Sequence, residues 1–148
     1  MTNIEDFSPL DVIDKKYFKD EKSYQRQIYL CSEIRIVMKF IIRFCENELG
    51  FSPVFTETVT TKEEDAKVSR KHDQHRRRVA VDLRASNIKE NDRQALIEEL
   101  IFHFSDWAYV TSSGVKRIAF CHDNGHGIHF HIAVNARYKL DEFREVMS

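Results

Sequence analysis

The sequence lacks the arrangement of cysteines that a disulfide framework or a thiolate metal site would need. Its three cysteines, Cys31, Cys45 and Cys121, are an odd number with wide spacing, and no Cys-x-x-Cys pair occurs. Cys31 and Cys45 stand among apolar residues, where cysteine usually packs as a small hydrophobic side chain. We therefore expect free thiols and a reducing compartment.

An excess of charge of one sign is also missing, and so are long apolar runs. The chain has 23 Lys and Arg against 24 Asp and Glu, a formal net charge of −1, whereas proteins that coat nucleic acid usually carry a clear basic excess. No apolar stretch approaches a membrane span, and residues 1–6 lack the basic and apolar regions of a secretory signal. These absences predict a cytoplasmic protein without membrane or nucleic-acid partners, released on lysis or associated with a virion if it acts elsewhere.

The length and composition of the chain are sufficient for one folded domain. The 148 residues, 42% of them hydrophobic, can bury a core, and we predict a single domain over 1–148 with an N-terminal arm at 1–20. Apolar residues at three- and four-residue steps predict a helix over 21–49, ended by Gly50. The residues of this apolar stripe are Ile28, Cys31, Ile34, Val37, Met38, Ile41, Ile42 and Cys45.

The rest of the chain alternates between β and helical patterns. Strands are predicted at 53–60, 79–83, 117–121 and 128–134, and a long polar loop at 61–76. Residues 87–90 have the spacing of a capping box, and the helix that follows presents Leu96, Ile97, Leu100, Ile101 and Phe104 on one face. A short helix at 140–147 closes the chain. We expect an α+β fold with a small, mainly antiparallel sheet flanked by helices.

The histidines are the outstanding feature of the sequence, because six of the seven fall in two clusters. His129 and His131 alternate along a predicted strand, so both imidazoles face the same side of the sheet. His75 comes just before the predicted strand that contains Asp82. His126 belongs to the second cluster and lies between two glycines, ahead of the strand with His129 and His131. Catalytic zinc sites use three nitrogen or oxygen ligands and leave one position open. Two histidines and a carboxylate from neighbouring strands would meet that count; the alternative is a set of ordinary surface or core histidines.

The sequence around these residues resembles two known families. Residues 73–82, DQHRRRVAVD, resemble the Ser-x-His-x-x-Gly-x-Ala-x-Asp signature of zinc D-alanyl-D-alanine carboxypeptidases. The likeness to the hedgehog signalling domain, which shares that fold and zinc site, is closer: it includes Thr56-Glu57, DWAY at 106–109 and HFHIAVNA at 129–136, and covers about residues 30–136. The resemblance implies that zinc is held by His75, Asp82 and His131, with His129 beside it as a catalytic residue.

The sequence departs from the signature at three places. Arg78 replaces the glycine, Asp73 replaces the serine, and no acid stands at the position before the last ligand where many relatives have their general base. His126, five residues before His131, is our candidate for that base. Hydrolysis of a cell-wall peptide would also need a cation for the substrate carboxylate. Lys62 and the arginines at 70 and 76–78 are available, and we assign Arg70, Arg76 and Arg78; their alternative is a solvated basic loop.

Two further interpretations stay open. A non-catalytic zinc domain that binds proteins, as in hedgehog, is compatible with the missing acidic base, although the acids at 63–65 do not match a calcium site. The His-x-His strand is also typical of single-strand DNA nucleases that use a tyrosine nucleophile. Tyr138 would take that role, but such a nuclease does not explain the spacing of His75 and Asp82.

Overall fold

Four strands form the central sheet of the computed structural model, which describes residues 7–8, 11–123 and 127–145. The strands are β1 (Phe55–Glu57), β2 (Ala80–Arg84), β5 (Ala119–Asp123) and β6 (Ile128–Ala133), paired antiparallel in the order β1-β2-β6-β5. A separate two-stranded hairpin consists of β3 (Tyr109–Val110) and β4 (Lys116–Arg117). Strand β1 is shorter than predicted, and the strand predicted at 117–121 is divided between β4 and β5.

In the described part of the chain, four α-helices accompany the sheet: α1 (Glu21–Arg26), α2 (Ser32–Phe44), α3 (Lys62–Lys67) and α4 (Glu90–Phe104). The helix predicted over 21–49 is therefore broken around residue 30, and a π-helical turn, Cys45–Leu49, follows α2. Gly50 ends this turn in the left-handed conformation, at a φ of 77°, as predicted. Ile28 was wrongly placed in the apolar stripe: it lies before the break, in a 3₁₀ turn, and is 54% exposed.

The polar segment at 61–76 is not structureless, because it contains α3. Thr61 caps this helix by accepting a hydrogen bond from the Glu64 backbone N–H, and the Glu64 carboxylate accepts one from the Thr61 N–H. Such a capping box satisfies amides at a helix start that would otherwise lack partners. The Thr61-x-x-Glu64 pattern was visible in the sequence, but the absence of an apolar stripe concealed this short helix.

Three predictions about the second half of the chain are wrong. Helix α4 begins at Glu90 with Lys89 as its N-cap and has no side-chain cap, so the capping box predicted at 87–90 does not form. Ile101, predicted on its buried face, is 51% exposed, whereas Leu96, Leu100 and Phe104 are fully buried. Residues 140–145 are not helical, and the rest of the predicted closing helix lies outside the described residues.

The sheet separates an apolar core from a polar face. Phe55, Leu83, Phe130 and Ile132 point to one side and are completely buried in one hydrophobic cluster with residues of α2 and α4. Because side chains alternate along a strand, the other side carries the residues between them, including Asp82, His129 and His131. This mixed α+β architecture with a small antiparallel sheet agrees with the predicted class. In the described part of the chain, no helix has the length and apolar character needed to cross a membrane.

Candidate metal centre

His75, Asp82 and His131 meet on the polar face of the sheet. Asp82 of β2 and His131 of β6 are directly paired across the two strands, and His75 lies in the turn that leads into β2. One potential ligand atom from each residue lies within 4.8 Å of those of the other two. The three side chains are buried, with exposures of 0%, 6% and 4%. Polar groups are seldom buried this deeply unless they bind one another or an ion.

Each histidine uses one ring nitrogen to hold its position. Nδ1 of His75 lies 2.7 Å from the Thr58 carbonyl oxygen, and Nε2 of His131 lies 2.5 Å from the side-chain oxygen of Gln74. Since a carbonyl oxygen can only accept, both of these nitrogens must carry hydrogen. The hydrogen bonds fix the tautomer and the ring orientation of each histidine, which is what outer partners of metal-binding histidines commonly do.

The other two ring nitrogens point at the same carboxylate oxygen. Nε2 of His75 lies 3.2 Å and Nδ1 of His131 lies 3.1 Å from Oδ1 of Asp82. If both rings are neutral, three electron pairs meet in a buried space with no hydrogen between them. Such an arrangement is repulsive unless protons or a cation lie among the three atoms. The geometry and the donor types therefore make this group a site that could hold a metal ion.

The charges around Asp82 favour its ionised form. Burial alone would raise the pKa of Asp82, but the adjacent His75 and His131 hold it well below its ordinary value. Burial likewise opposes a charge on His75, yet the Asp82 carboxylate outweighs burial and raises the pKa of His75. For His131, burial prevails and the pKa is lowered. The carboxylate is thus ready to bind a cation, as a metal ligand must be.

The second oxygen of Asp82 faces Arg70, one of the predicted substrate-binding residues. The Arg70 guanidinium lies 3.9 Å from Oδ2 of Asp82, 2.5 Å from Glu57 and 2.9 Å from Asp65. Asp65 of α3 is itself buried and also binds Arg76, at 2.9 Å. These ion pairs attach the segment between α3 and β2 to the site. Arg70 thus holds the surroundings of Asp82 in place.

The two other predicted substrate-binding residues lie differently. Arg76 is bound by Asp65 and has its Nε 3.2 Å from Glu142. Arg78 has a positive φ of 68°, and its carbonyl oxygen accepts a hydrogen bond from the Cys31 backbone N–H. Neither residue is among those that line the groove beside the site. Their assignment to the substrate remains a prediction.

A groove of about 770 Å³ runs past the exposed edge of Asp82. It is large enough for a small peptide segment, since ligand sites commonly measure about 300–1,000 Å³. Its walls come from β1, β2, the start of β6 and the segment after α3. The lining includes Glu57, Arg70, His72, Asp82, Arg84 and His129. The site can therefore receive a ligand from solvent.

Histidines surround the three buried residues on this face. The ring of His72 lies 4.8 Å from that of His131, between centroids. Loss of water at its ring and the nearby His131 and His75 lower the pKa of His72 to about 4, so that it is neutral at pH 7. His129 pairs with Arg84 and His122 on either side and lines the groove. The rings of His129 and His131, which alternate along β6, thus face the same side of the sheet, as predicted.

One predicted catalytic residue has no described position, and several neighbours of the site were not predicted. His126 lies outside the described residues. Thr58 and Gln74 act through a carbonyl and an amide that no spacing in the sequence singles out. His72 is one of the six clustered histidines, three residues before His75, and Arg84 stands two residues after Asp82. Strand alternation could have placed Arg84 on the site face.

Comparison of the chain with models of protein families, with curated proteins and with solved structures found no match. The case for a function therefore rests on the geometry of the site and on the motifs in the sequence.

Proposed function

We propose that the protein is a zinc-dependent peptidase of the D-alanyl-D-alanine carboxypeptidase or endopeptidase type that hydrolyses bacterial cell-wall peptides. One observation carries the proposal. Two buried imidazoles, each held by a hydrogen bond through its outer nitrogen, direct their inner nitrogens at one buried carboxylate oxygen.

Zinc suits this group better than calcium or magnesium. Imidazole nitrogen and carboxylate oxygen are both good zinc ligands, and a catalytic zinc site has three protein ligands and one open position. Calcium and magnesium prefer sites made of oxygens alone, and here two of three donors are nitrogen. Outer oxygens such as those of Thr58 and Gln74 are the usual partners of zinc-binding histidines.

The backbone at Arg78 supports the resemblance to the peptidase signature. Arg78 stands where that signature has glycine, and its φ of 68° lies in the left-handed region that glycine adopts most easily. The turn between His75 and Asp82 thus contains, at Arg78, a conformation that favours glycine, the residue that the signature has there. A hedgehog-like or D-alanyl-D-alanine-peptidase-like fold is part of our proposal on this ground.

Within the proposed mechanism the chain binds the peptide and moves the protons. Zinc supplies Lewis-acid chemistry, polarising a carbonyl group and lowering the pKa of water. His129 lines the groove and lies two residues before His131 on β6. In this mechanism it donates a hydrogen bond to the substrate carbonyl oxygen on which negative charge develops. His126 takes a proton from the attacking water and delivers it to the leaving amine, because imidazole exchanges protons near neutral pH.

A non-catalytic zinc domain that binds a protein is the second candidate, and the groove acids favour it. Glu57 lines the groove but is ion-paired with Arg70, and Asp20 accepts the Ser23 backbone N–H as the cap of α1. Both acids are thus already bonded within the protein. In the proposed mechanism the general base is His126, and a domain that binds zinc without a working base would not hydrolyse peptides.

A digestion assay separates these functions. We expect the zinc-loaded protein to cleave purified cell-wall peptides, with activity lost in His131→Ala and retained in His103→Gln, whose ring packs on Phe40 of α2. His129→Ala and His126→Ala should keep zinc and lose activity by about a hundredfold or more. Zinc binding without cleavage of any cell-wall peptide would favour the binding domain.

The same preparation tests the nuclease alternative. Tyr138 is 73% exposed, and the Arg137 guanidinium lies over its ring. We expect Tyr138→Phe to leave peptide cleavage unchanged. Cleavage of single-stranded DNA that disappears in Tyr138→Phe would overturn the peptidase proposal.

A further inference from the structure

His72 places a third imidazole beside the buried group of His75, Asp82 and His131. Between ring centres, His72 lies 4.8 Å from His131 and 5.9 Å from His75, and those two lie 5.3 Å from each other. Imidazoles that share one tetrahedral zinc ion, with Zn–N bonds of about 2.1 Å, have ring centres about 5 Å apart. The three rings thus already have separations close to those of a common coordination shell.

The ring of His72 is held less firmly than the other two. The outer nitrogens of His75 and His131 are fixed by the Thr58 carbonyl oxygen and the Gln74 side-chain oxygen, as is usual for histidines that hold zinc permanently. Among the described residues, neither ring nitrogen of His72 has a hydrogen-bond partner, and the residue is exposed in a segment without helix or strand. Its imidazole can therefore turn toward the group or away from it.

His72 also stands where a ligand would approach the metal. The groove beside the site is lined by Asp82 and His72, whereas His75 is completely buried. His131 lines a second cavity, of about 120 Å³, which His72 borders as well. Solvent therefore reaches the buried group on the side where His72 lies. A site with three protein ligands keeps its fourth position open, and His72 is placed to fill it.

We propose that His72 is a fourth, exchangeable zinc ligand that closes the metal site until an incoming peptide displaces it. This inference rests on the proposed peptidase function. The ligand atoms that lie within 4.8 Å of one another do not include those of His72, so its ring turns about its side-chain bonds to direct a nitrogen lone pair at the metal. Four protein ligands are typical of closed zinc sites. The chain thus rests in a closed state and opens for its substrate.

X-ray absorption at the zinc edge counts the imidazoles on the metal without any need for hydrolysis. We expect three imidazoles per zinc in the zinc-loaded wild type and two in His72→Ala, with about one zinc per chain in both. His122→Ala is the matched control, because it removes another imidazole from the same face, one that lies against Phe120 and His129. It should keep three imidazoles. Two imidazoles in the wild type, or three in His72→Ala, would overturn the proposal.

Acetohydroxamate, a small zinc chelator, tests whether the ligand exchanges. Its addition to the zinc-loaded wild type should lower the imidazole count from three to two. His72→Ala should bind acetohydroxamate about 10- to 100-fold more tightly than the wild type, as expected if the open state of the wild type is about 1–10% populated. His122→Ala should bind it like the wild type. A count that stays at three in the complex, or equal affinity of the wild type and His72→Ala, would contradict an exchangeable ligand.

Hydrolysis of purified cell-wall peptides is measured in parallel. Cleavage by a wild type that has only two imidazoles on its zinc would leave the peptidase function intact and refute the role of His72. A displaceable third imidazole without cleavage of any cell-wall peptide would do the reverse. The two proposals can thus fail separately.

Discussion

The two faces of the central sheet are made from the same strands, yet different physical effects shape them. On the helical face, Leu83, Phe130 and Ile132 are fully buried among apolar side chains, where close packing determines the arrangement. On the opposite face, Asp82 and His131 are nearly as buried, but His131 is oriented by the hydrogen bond that its Nε2 donates to the side-chain oxygen of Gln74. Buried polar groups are costly without partners, so the second face gains little stability until something binds there. The helical face thus stabilises the fold, whereas the polar face carries the candidate metal site.

The largest expected loss of stability comes from a substitution on the helical face of the sheet. Phe130→Ala should lower the free energy of unfolding by about 3–5 kcal/mol, because it removes a large fully buried ring and leaves a cavity. His129→Ala, the neighbouring change on the groove face, should cost about 0.5 kcal/mol or less, as for a surface substitution. Denaturant unfolding of both variants measures the difference. Similar losses in the two variants would contradict the division between the faces.

An effect of intermediate size is expected from Glu64, whose ion pairs attach α3, the helix after β1, to the rest of the fold. Burial alone would raise the pKa of Glu64, but Lys22, Arg26 and the Thr61 N–H lower it from 4.5 to about 2. A carboxylate with a depressed folded pKa stabilises the protein above its unfolded pKa and loses that contribution as the pH falls. The loss should therefore occur between about pH 4.5 and pH 2. The full shift corresponds to about 3 kcal/mol, and solvent screening reduces it to about 1 kcal/mol.

Glu64→Gln tests this contribution, since glutamine can keep the capping box while it removes the charge. Denaturant unfolding as a function of pH should show a flatter acid limb for Glu64→Gln than for the wild type. Glu63→Gln, on the exposed side of the same helical turn, should leave the limb unchanged. An identical acid limb in the wild type and Glu64→Gln would show that this ion pair does not stabilise the fold.

The smallest effect concerns the turn that brings His75 to the site. Arg78→Gly should leave stability unchanged or raise it by up to about 1 kcal/mol, because a non-glycine residue at a φ of 68° is strained. Arg78→Ala removes the same side chain and keeps the strain, so it should not stabilise. Thermal unfolding compares the two. A glycine variant less stable than the alanine variant would mean that the turn is not strained.

The sequence contained enough to identify the three residues of the candidate metal site but not their surroundings. Alternation along β2 and β6 places Asp82 and His131 on a common face, and a short turn returns His75 to them. The partners that orient the histidines, the Thr58 carbonyl and the Gln74 amide, depend on tertiary contacts across 17 and 57 residues. No local pattern reports such contacts. Likewise the break in the first helix and the non-helical conformation of residues 140–145 reflect packing that overrides helix periodicity.

The central claim is that His75, Asp82 and His131 hold one zinc ion, and elemental analysis of the purified protein tests it most directly. We predict about one zinc per chain in the wild type and in His122→Ala, whose ring neighbours His129 but does not belong to the buried group. His75→Ala, Asp82→Ala and His131→Ala should each lose the metal while far-ultraviolet circular dichroism shows a folded chain. A wild type without zinc after growth in zinc-supplemented medium, or zinc retained in all three ligand variants, would contradict the account.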